Sequence, residues 1–269
     1  MTSTAISAGA ARRAGSQVRE WLPALVVFVA AIAVWQGSIA LFNIQQFLLP
    51  KPSAIVSSFW NERHTLWPAG WYTFKEALGG FAIGSGLGLI FATLIGRFKA
   101  VGSAILPFAI AANAIPIIAF APIFGAWFNP LSPVSKMAIA AMLCFFPVLV
   151  NTMKGLQSAS PRQIELMRSY AASPFEIWRR VRVPTALPYV FTALKVASVL
   201  AMIGAIVGEY FGGATTALGV LIRSDAQVFQ FERAWAGILV ASLLGITLYL
   251  AVVAAERLLI GWAPQSRDS

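Results

Sequence analysis

The sequence predicts an all-α membrane protein with about six transmembrane helices. Of its 269 residues, 58% are hydrophobic and only 11% are charged, proportions that lie outside the range of soluble chains. Apolar runs of about 20 residues, each long enough to cross about 30 Å of hydrocarbon, recur along the chain. The predicted spans are, approximately, residues 22–42, 76–96, 103–127, 134–152, 189–209 and 234–258.

The two chain ends and the distribution of cations predict the orientation. Residues 1–20 are small and polar, and the apolar run after them has no convincing small-residue cleavage site, so we predict a cytoplasmic tail and an uncleaved first span. Residues 21–262 form the membrane domain and residues 263–269 a second cytoplasmic tail. About two thirds of the 20 Lys and Arg lie on the side of these tails, as the positive-inside rule expects. The net charge of +10 therefore indicates membrane topology and no nucleic-acid partner.

Glycine spacing in the second span indicates close helix packing. Gly80, Gly84 and Gly88 recur every four residues, which is typical of helices whose backbones approach each other in lipid. No strand precedes them and no GxxxxGK[ST] sequence occurs, which argues against a nucleotide-binding loop. The Pro- and Trp-rich segment before this span, up to about Lys75, is predicted to be an outer loop.

Prolines interrupt the third span. Pro107, Pro116 and Pro122 each remove a backbone donor, and Asn113 lies near the middle of the span. The freed carbonyls and the Asn113 amide must face protein or a wet cavity, so Asn113 and Pro116 are candidates to line a substrate path. A kinked helix whose Asn113 bonds a neighbouring helix is an equal alternative.

The fifth span carries one charge near each end. Lys195, near the inner end, can extend its ammonium group to the membrane interface. Glu209, at the outer end, is a candidate for the outer mouth of the substrate path. The alternative for Glu209 is an interfacial ion pair with Arg223.

The longest polar interval, residues 158–188, contains two sequence signals for helix starts. The segments SPRQ at residues 160–163 and SPFE at residues 173–176 each place Ser at the N-cap, Pro at the first helical position and Gln or Glu at the third. Each can form a capping box. We therefore predict one short helix over about residues 161–170 and another from Pro174 until Pro184 ends it.

The residues between and on these helices predict a docking surface. A bend is predicted at Ala171-Ala172. Apolar side chains project along one side of the first helix among Arg and Glu, which is typical of a segment that docks into a partner. These side chains are Ile164, Met167 and Tyr170.

The register of this segment resembles the cytoplasmic loop of bacterial ABC importer permeases, the binding-protein-dependent inner-membrane components. That loop reads E-A-A, three residues, G, nine residues, I, one residue, L-P. The matching positions in this chain are Glu165, Ala171, Val181 and Val183-Pro184. Leu166 and Met167 replace the two alanines. Ala171 replaces a glycine, which would adopt a left-handed backbone conformation more readily.

The resemblance covers roughly residues 70–260 and looks closest to permeases for nitrate, sulfonate, taurine and pyrimidine precursors. It implies a multi-pass protein of the bacterial inner membrane, in which two permease chains form the path for a small polar or anionic solute. It also implies two cytoplasmic ATPase subunits, which bind the ATP, and an extracytoplasmic solute-binding protein, with no cofactor in this chain. The residues it implies for ATPase coupling are Ile164, Glu165, Met167, Tyr170, Ala171, Ala172 and Pro184.

Two other function classes fit the sequence less well. A secondary transporter or channel without ATP coupling would usually show carboxylates inside its spans, and no acidic residue is predicted near a span centre. An enzyme would need a clustered nucleophile, base or metal set, and the chain has one histidine, His64, and one cysteine, Cys144. The sequence therefore predicts a permease rather than an enzyme.

Overall fold

Helices account for all the regular secondary structure of the described part of the chain. The computed structural model describes residues 3–45, 49–96, 99–112 and 116–261, with side chains described except at 3–21, 99–103, 106, 112 and 117. Within these ranges no β-strand occurs. The helices are α1 (Ser3–Leu41), α2 (Pro52–Gly96), α3 (Lys99–Ala112), α4 (Ala121–Phe128), α5 (Pro133–Gln157), α6 (Pro161–Ser169), α7 (Pro174–Ile177), α8 (Val183–Tyr210), α9 (Leu218–Gln227) and α10 (Phe231–Leu259).

The predicted fold class, an all-α polytopic membrane protein, is confirmed. Among the described residues, five helical segments are long and apolar enough to cross a membrane. They are Leu22–Leu41, Pro52–Gly96, Pro133–Gln157, Pro174–Tyr210 and Phe231–Leu259. The predicted N-terminal tail is helical from Ser3 onward and continuous with the first span.

The predicted outer loop before the second span is wrong, because α2 already begins at Pro52 and runs for 45 residues. Pro52 occupies the first turn, where a missing N–H costs no helical hydrogen bond. Ile55, Leu66 and Ala69 are buried in the main apolar core. Their spacing places them on one face of a helix, and the burial of that face outweighs the Pro and Trp content of the segment.

The third predicted span is not one helix. The chain forms α3, a short 3₁₀ helix at Ile117–Phe120 and then α4. Pro107 lies inside α3, whereas Pro116 is the N-cap of the 3₁₀ helix and Pro122 lies in the first turn of α4. The last two prolines thus mark helix starts, where their missing donors are tolerated.

Helix α5 is packed between α2 and α8, and the glycine stripe of α2 makes one of these contacts close. A Cβ atom added to Gly84 would lie 2.7 Å from the Ala141 Cα atom of α5, and one added to Gly88 would lie 2.9 Å from the Phe145 carbonyl oxygen. Such distances leave no room for a side chain. The prediction that the stripe serves helix packing is confirmed.

Helix α8 connects two ends of the molecule. At its N-terminal end lie α6 and α7, and at its C-terminal end lies α9. Its 28 residues correspond to about 40 Å of helix, roughly a membrane thickness. Lys195 of α8 pairs with Glu256 of α10 at 3.0 Å, so its ammonium group has a protein partner in addition to the predicted position near the interface.

Candidate functional site

Helix α6 presents a mixed apolar and charged surface at one end of the molecule. Ile164 and Met167 are half-buried, whereas Leu166 and Tyr170 are 57% and 77% exposed. Ser160 is the N-cap as predicted, but its hydroxyl makes no capping hydrogen bond. The predicted first capping box is therefore wrong. The Ser160 carbonyl oxygen instead accepts the Gln163 and Ile164 N–H groups at 3.1 and 3.2 Å.

The bend predicted at Ala171-Ala172 is confirmed, and its geometry explains the glycine position of the resembling family. Ala171 has a left-handed backbone with φ of +56°. The Ala172 N–H donates to the Met167 carbonyl at 3.0 Å, and the Ala171 N–H donates to the Arg168 carbonyl at 2.9 Å. This pair of bonds is a Schellman motif, which satisfies the last carbonyls of α6.

The second capping box is confirmed at the start of α7. The Glu176 N–H donates to Ser173 Oγ at 3.3 Å, and the Ser173 N–H donates to Glu176 Oε2 at 2.8 Å. The two reciprocal bonds fix the direction in which the chain leaves the bend.

Pro184 does not end the second short helix, contrary to prediction. A π-helical segment, Trp178–Arg182, joins α7 to α8 without a break. The Val183 N–H donates to the Trp178 carbonyl, five residues back, and Pro184 lies in the first turn of α8. The widened turn accommodates Pro184, so α7 and α8 form one continuous helical segment of 37 residues.

Cavities beside α6 and α7 bring several of the predicted coupling residues together. Met167 and Pro184 line one cavity of about 330 Å³. Glu165 is exposed and lines another of about 460 Å³, beside the ends of α2 and α5. Ile164, Ala172 and Phe175 line a third cavity of about 280 Å³. We call the surface formed by α6, α7 and these cavities the docking surface.

A buried polar cluster lies near the opposite end of the spans. It consists of four side chains that are each at most 2% exposed. They are Thr73 and Glu76 of α2, Lys136 of α5 and Glu209 of α8. Because uncompensated charge is costly in a protein interior, the contacts of these groups with one another and with nearby backbone determine the stability of the cluster.

Glu209 and Thr73 together bind the N-terminus of α9. Thr73 Oγ1 donates to Glu209 Oε1 at 2.7 Å and accepts the Leu218 N–H at 3.0 Å. Glu209 Oε2 accepts the Gly219 N–H at 2.6 Å. The N-cap residue of α9, Ala217, offers no side-chain acceptor. Side chains from two other helices therefore supply the cap that the local sequence lacks.

Lys136 and Glu76 complete the cluster. The Lys136 ammonium donates to the carbonyl oxygens of Pro130 and Ser132 and attracts both carboxyl groups electrostatically. Glu76 is within hydrogen-bond reach of Glu209, and its Oε2 has no hydrogen-bond partner among the described residues. Lys136 is thus a buried positive charge near the two acids.

The cluster corrects one inference from the sequence. The predicted alternative for Glu209, an ion pair with Arg223, is wrong, since Arg223 donates to the Tyr210 carbonyl. Glu76 and Glu209 are buried in long apolar helices near one end of the spans, and the absence of an acidic residue near a span centre stays a prediction. The other predicted path residues are Pro116, which is exposed, and Asn113, which lies outside the described residues.

The C-terminal part of α9 has a second polar attachment. Asp225 Oδ2 lies 3.3 Å from Arg233 Nε of α10, and Glu62 Oε2 of α2 lies 4.0 Å from the same nitrogen. Burial raises the pKa of the Asp225 carboxyl, and the nearby Arg233 charge opposes that rise. Helix α9 is therefore held by polar groups near both of its ends.

Comparisons with known proteins give a consistent result. A family model described as "Binding-protein-dependent transport system inner membrane component" matches residues 84–261. The chain is 32% identical to the riboflavin transport system permease protein RibX of Chloroflexus aurantiacus, over 90% of this chain and 91% of that protein. It is 35% identical to the formylaminopyrimidine transport permease protein ThiX of Halalkalibacterium halodurans, over 87% and 93%. It is 27% identical to the putative aliphatic sulfonates transport permease protein SsuC of Bacillus subtilis, over 93% and 91%.

Proposed function

Since this chain belongs to the family of binding-protein-dependent transport system inner membrane components, we propose that it forms the translocation path of an ATP-driven importer and couples that path to a separate cytoplasmic ATPase. As an ABC transporter permease subunit, the chain has an ATPase and a solute-binding protein as its partners. A homodimer of this chain forms the complete path in this proposal. The ATPase subunits bind the ATP, and the permease performs no catalysis.

The docking surface is the observation that carries the coupling role. Its exposed apolar side chains, Leu166, Tyr170 and Phe175, are 57%, 77% and 59% exposed and stand among charged residues. An apolar group surrounded by charges at the tip of a rigid segment is suited to a cleft on a partner protein. In this role Glu165 makes a charge-assisted contact with the ATPase.

The remaining coupling residues have supporting roles in the proposal. Met167 and Pro184 form the cavity that receives an ATPase side chain, and Ile164 stabilises α6 against the membrane domain. Ala171 and Ala172 fix the angle between α6 and α7. Tyr170 projects beside the bend as a second apolar contact.

The continuous segment from α7 to α8 provides a path for mechanical coupling. ATPase closure can shift a transport equilibrium only through groups whose contacts differ between the two states. Because α7 joins α8 without a break, displacement of the docking surface moves a membrane-spanning helix directly. Asn113 and Pro116, in the divided third span, are the proposed lining of the path, and Glu209 acts at its outer end.

The substrate we propose is a small polar or anionic solute. Relatives of this chain are named for riboflavin, formylaminopyrimidine, aliphatic sulfonates, taurine and nitrate transport. Two relatives above 30% identity are named for riboflavin and formylaminopyrimidine transport, and these names support a pyrimidine-like heterocycle as the first candidate. Uptake of radiolabelled heterocycle in competition with taurine and nitrate tests this order.

The proposed orientation has both termini and the docking surface in the cytoplasm, in the bacterial inner membrane. The excess of Lys and Arg on that side supports it. The buried acids Glu76 and Glu209 are of the kind that secondary transporters use for ion coupling, but the family match supports ATP-driven import.

The coupling proposal is tested by substituting the docking surface. Glu165→Ala removes the charged contact, and Met167→Asp places a charge in an apolar cavity, so each variant should bind the ATPase at least tenfold more weakly, as expected for interface hot spots. Co-purification of the ATPase with the detergent-extracted permease, together with solute uptake, measures the effect.

Phe229→Asp provides a matched control, because Phe229 is 70% exposed at the opposite end of the molecule. It should leave ATPase co-purification unchanged. Wild-type ATPase association and uptake in both docking variants would contradict the assignment of Glu165 and Met167.

A further inference from the structure

We infer that α9 is an outer gate element, and that Thr73 and Glu209 are positioning residues that hold it in place. This inference rests on the proposed transport function. In this inference the buried polar cluster takes part in coupling. The cap of α9 forms only when α2 and α8 are close together, so movement of α8 breaks or restores the cap.

The first support is the origin of the cap. Thr73 belongs to α2 and Glu209 to α8, yet both bind N–H groups in the first turn of α9. A Ser at position 217 would cap α9 locally without a buried carboxyl group. The observed cap instead depends on the distance between two spans, since the Thr73 hydroxyl must reach both Glu209 and Leu218.

The second support is the tight fit of α9 against α8. A Cβ atom added to Gly219 would lie 2.9 Å from the Ile206 carbonyl oxygen and 2.7 Å from Glu209 Oε2. Leu218 and Ile222 enter the main apolar core beside α2 and α10. The first turns of α9 therefore contact three spans at once, and a change in the spacing of those spans must move α9.

Turns with unusual backbone conformations on either side of α9 separate this helix from its neighbours. The turn before it contains Gly212, with φ of +154°, and the turn after it contains Phe229, a non-glycine residue with φ of +62°. These turns separate α9 from the long helices α8 and α10. A helix bounded by two turns can change its position while the flanking spans remain intact.

The fourth support is the connection to the docking surface. Helix α8 carries Glu209 near its C-terminal end, and its N-terminal end continues through the π-helical segment into α7. About 40 Å of helix thus separates the ATPase contact from the cap of α9. Displacement of α7 by the ATPase changes the position of Glu209 relative to Thr73, and the cap opens or closes with it.

Charge balance explains why an acidic residue can serve in this position. Lys136 attracts both Glu76 and Glu209, and Glu76 and Glu209 lie within hydrogen-bond reach of each other. The single ammonium group offsets part of the negative charge of the two carboxyl groups, which lowers the cost of burying them between membrane helices.

The experiment compares Thr73→Val with Thr192→Val in the assembled permease–ATPase complex. Thr73 bonds Ala69 in the preceding turn as well as Glu209 and Leu218, whereas Thr192 bonds Pro188 in its own helix. Thr73→Val should speed hydrogen exchange in the first turn of α9 at least tenfold. Thr192→Val should leave it unchanged, and Thr73→Ser, which retains the hydroxyl, should restore wild-type exchange.

Coupling distinguishes a gate from a purely structural attachment. In proteoliposomes, Thr73→Val should raise ATP hydrolysis without binding protein and lower the amount of solute imported per ATP at least threefold, with Thr73→Ser close to wild type. Faster exchange with unchanged solute per ATP would show that the cap stabilises α9 without gating. Unchanged exchange would overturn the cap itself.

A second variant and the wild-type complex distinguish failure of the gate from failure of the proposed function. If Thr73→Val does not assemble, Glu209→Gln, which retains the size of the side chain, is used in the same assays. Glu209→Gln must then speed hydrogen exchange in α9 and lower the amount of solute imported per ATP. Absence of ATP-dependent uptake in the wild-type complex would contradict the proposed function. Coupled uptake that is equal in the wild type, Thr73→Val and Thr192→Val would overturn only the gate.

Discussion

Ala171 decides how the two helices of the docking surface meet. Its φ of +56° belongs to the left-handed region, which an L-residue with a Cβ atom adopts at a cost of about 1 kcal/mol. The two hydrogen bonds of the Schellman motif offset that cost by satisfying carbonyls at the end of α6. The bend is therefore held by its hydrogen bonds despite an unfavourable residue.

Replacing Ala171 with Gly should stabilise the bend. Gly removes the Cβ strain, so the gain should reach about 1 kcal/mol, reduced by the greater freedom of Gly in the unfolded chain. The measurement is the melting temperature of the purified permease, with hydrogen exchange of the Ala172 amide as the local readout. Ala172→Gly is the matched control and should be destabilising, because the φ of Ala172 is not positive. A lower melting temperature for Ala171→Gly would show that the Ala171 methyl group contributes packing.

Whether a side-chain contact can be predicted from the sequence depends on how many residues separate its two partners. The Ser173–Glu176 capping box spans three residues and could be read from the sequence, as could the bend at the family's glycine position. Thr73 and Glu209 are 136 residues apart, and no local pattern pairs them. The sequence shows charged residues in or beside apolar segments, but it does not show which of these residues contact each other.

At the scale of elements, helix period proved more informative than residue composition. Pro and Trp predicted a loop before the second span, yet the apolar residues of that segment recur at helical spacing, and the structure continues α2 through it. The four-residue glycine spacing identified a close helix contact but not its partner, α5. Spacing determines which face of a helix is buried, whereas the partner depends on the packing of the whole bundle.

The glycines of α2 allow a stability prediction in which a neighbouring glycine serves as the control. Gly84→Ala should destabilise the α2–α5 contact by about 1–3 kcal/mol, the usual range for overpacking, because the added Cβ meets the backbone of Ala141. Among the described residues, no atom outside the adjoining backbone of α2 lies within 4 Å of a Cβ added to Gly86, so Gly86→Ala should be neutral or slightly stabilising. Thermal unfolding of both variants in the same detergent tests the difference. Equal melting temperatures would mean that α2 and α5 are packed less closely than described.

At the scale of the whole molecule, one continuous helical segment links the docking surface to the cap of α9. The segment Pro174–Tyr210 begins in the docking surface and carries Glu209 one residue before its end. The divided third span differs from it, because the backbone is extended at Pro116 and the chain then forms a 3₁₀ helix before α4. The fold thus combines one stiff connection with one jointed segment, which is a suitable arrangement for a path that opens alternately on two sides.

The jointed segment should change its accessibility during the transport cycle. We expect Asn113→Cys and Pro116→Cys, made in a Cys144→Ala background, to react with a small polar thiol reagent, and to react at a different rate when ATP and vanadate trap the complex. Cys144 is fully buried, so its removal eliminates the native thiol without altering the surface. His64→Cys, at an exposed position of α2 that lies outside both the divided span and α9, is the control and should react equally in both states. If cysteines at 113 and 116 show the same reactivity in the free and trapped complexes, these residues do not line the path, and Asn113 instead serves as a hydrogen-bonding contact between helices.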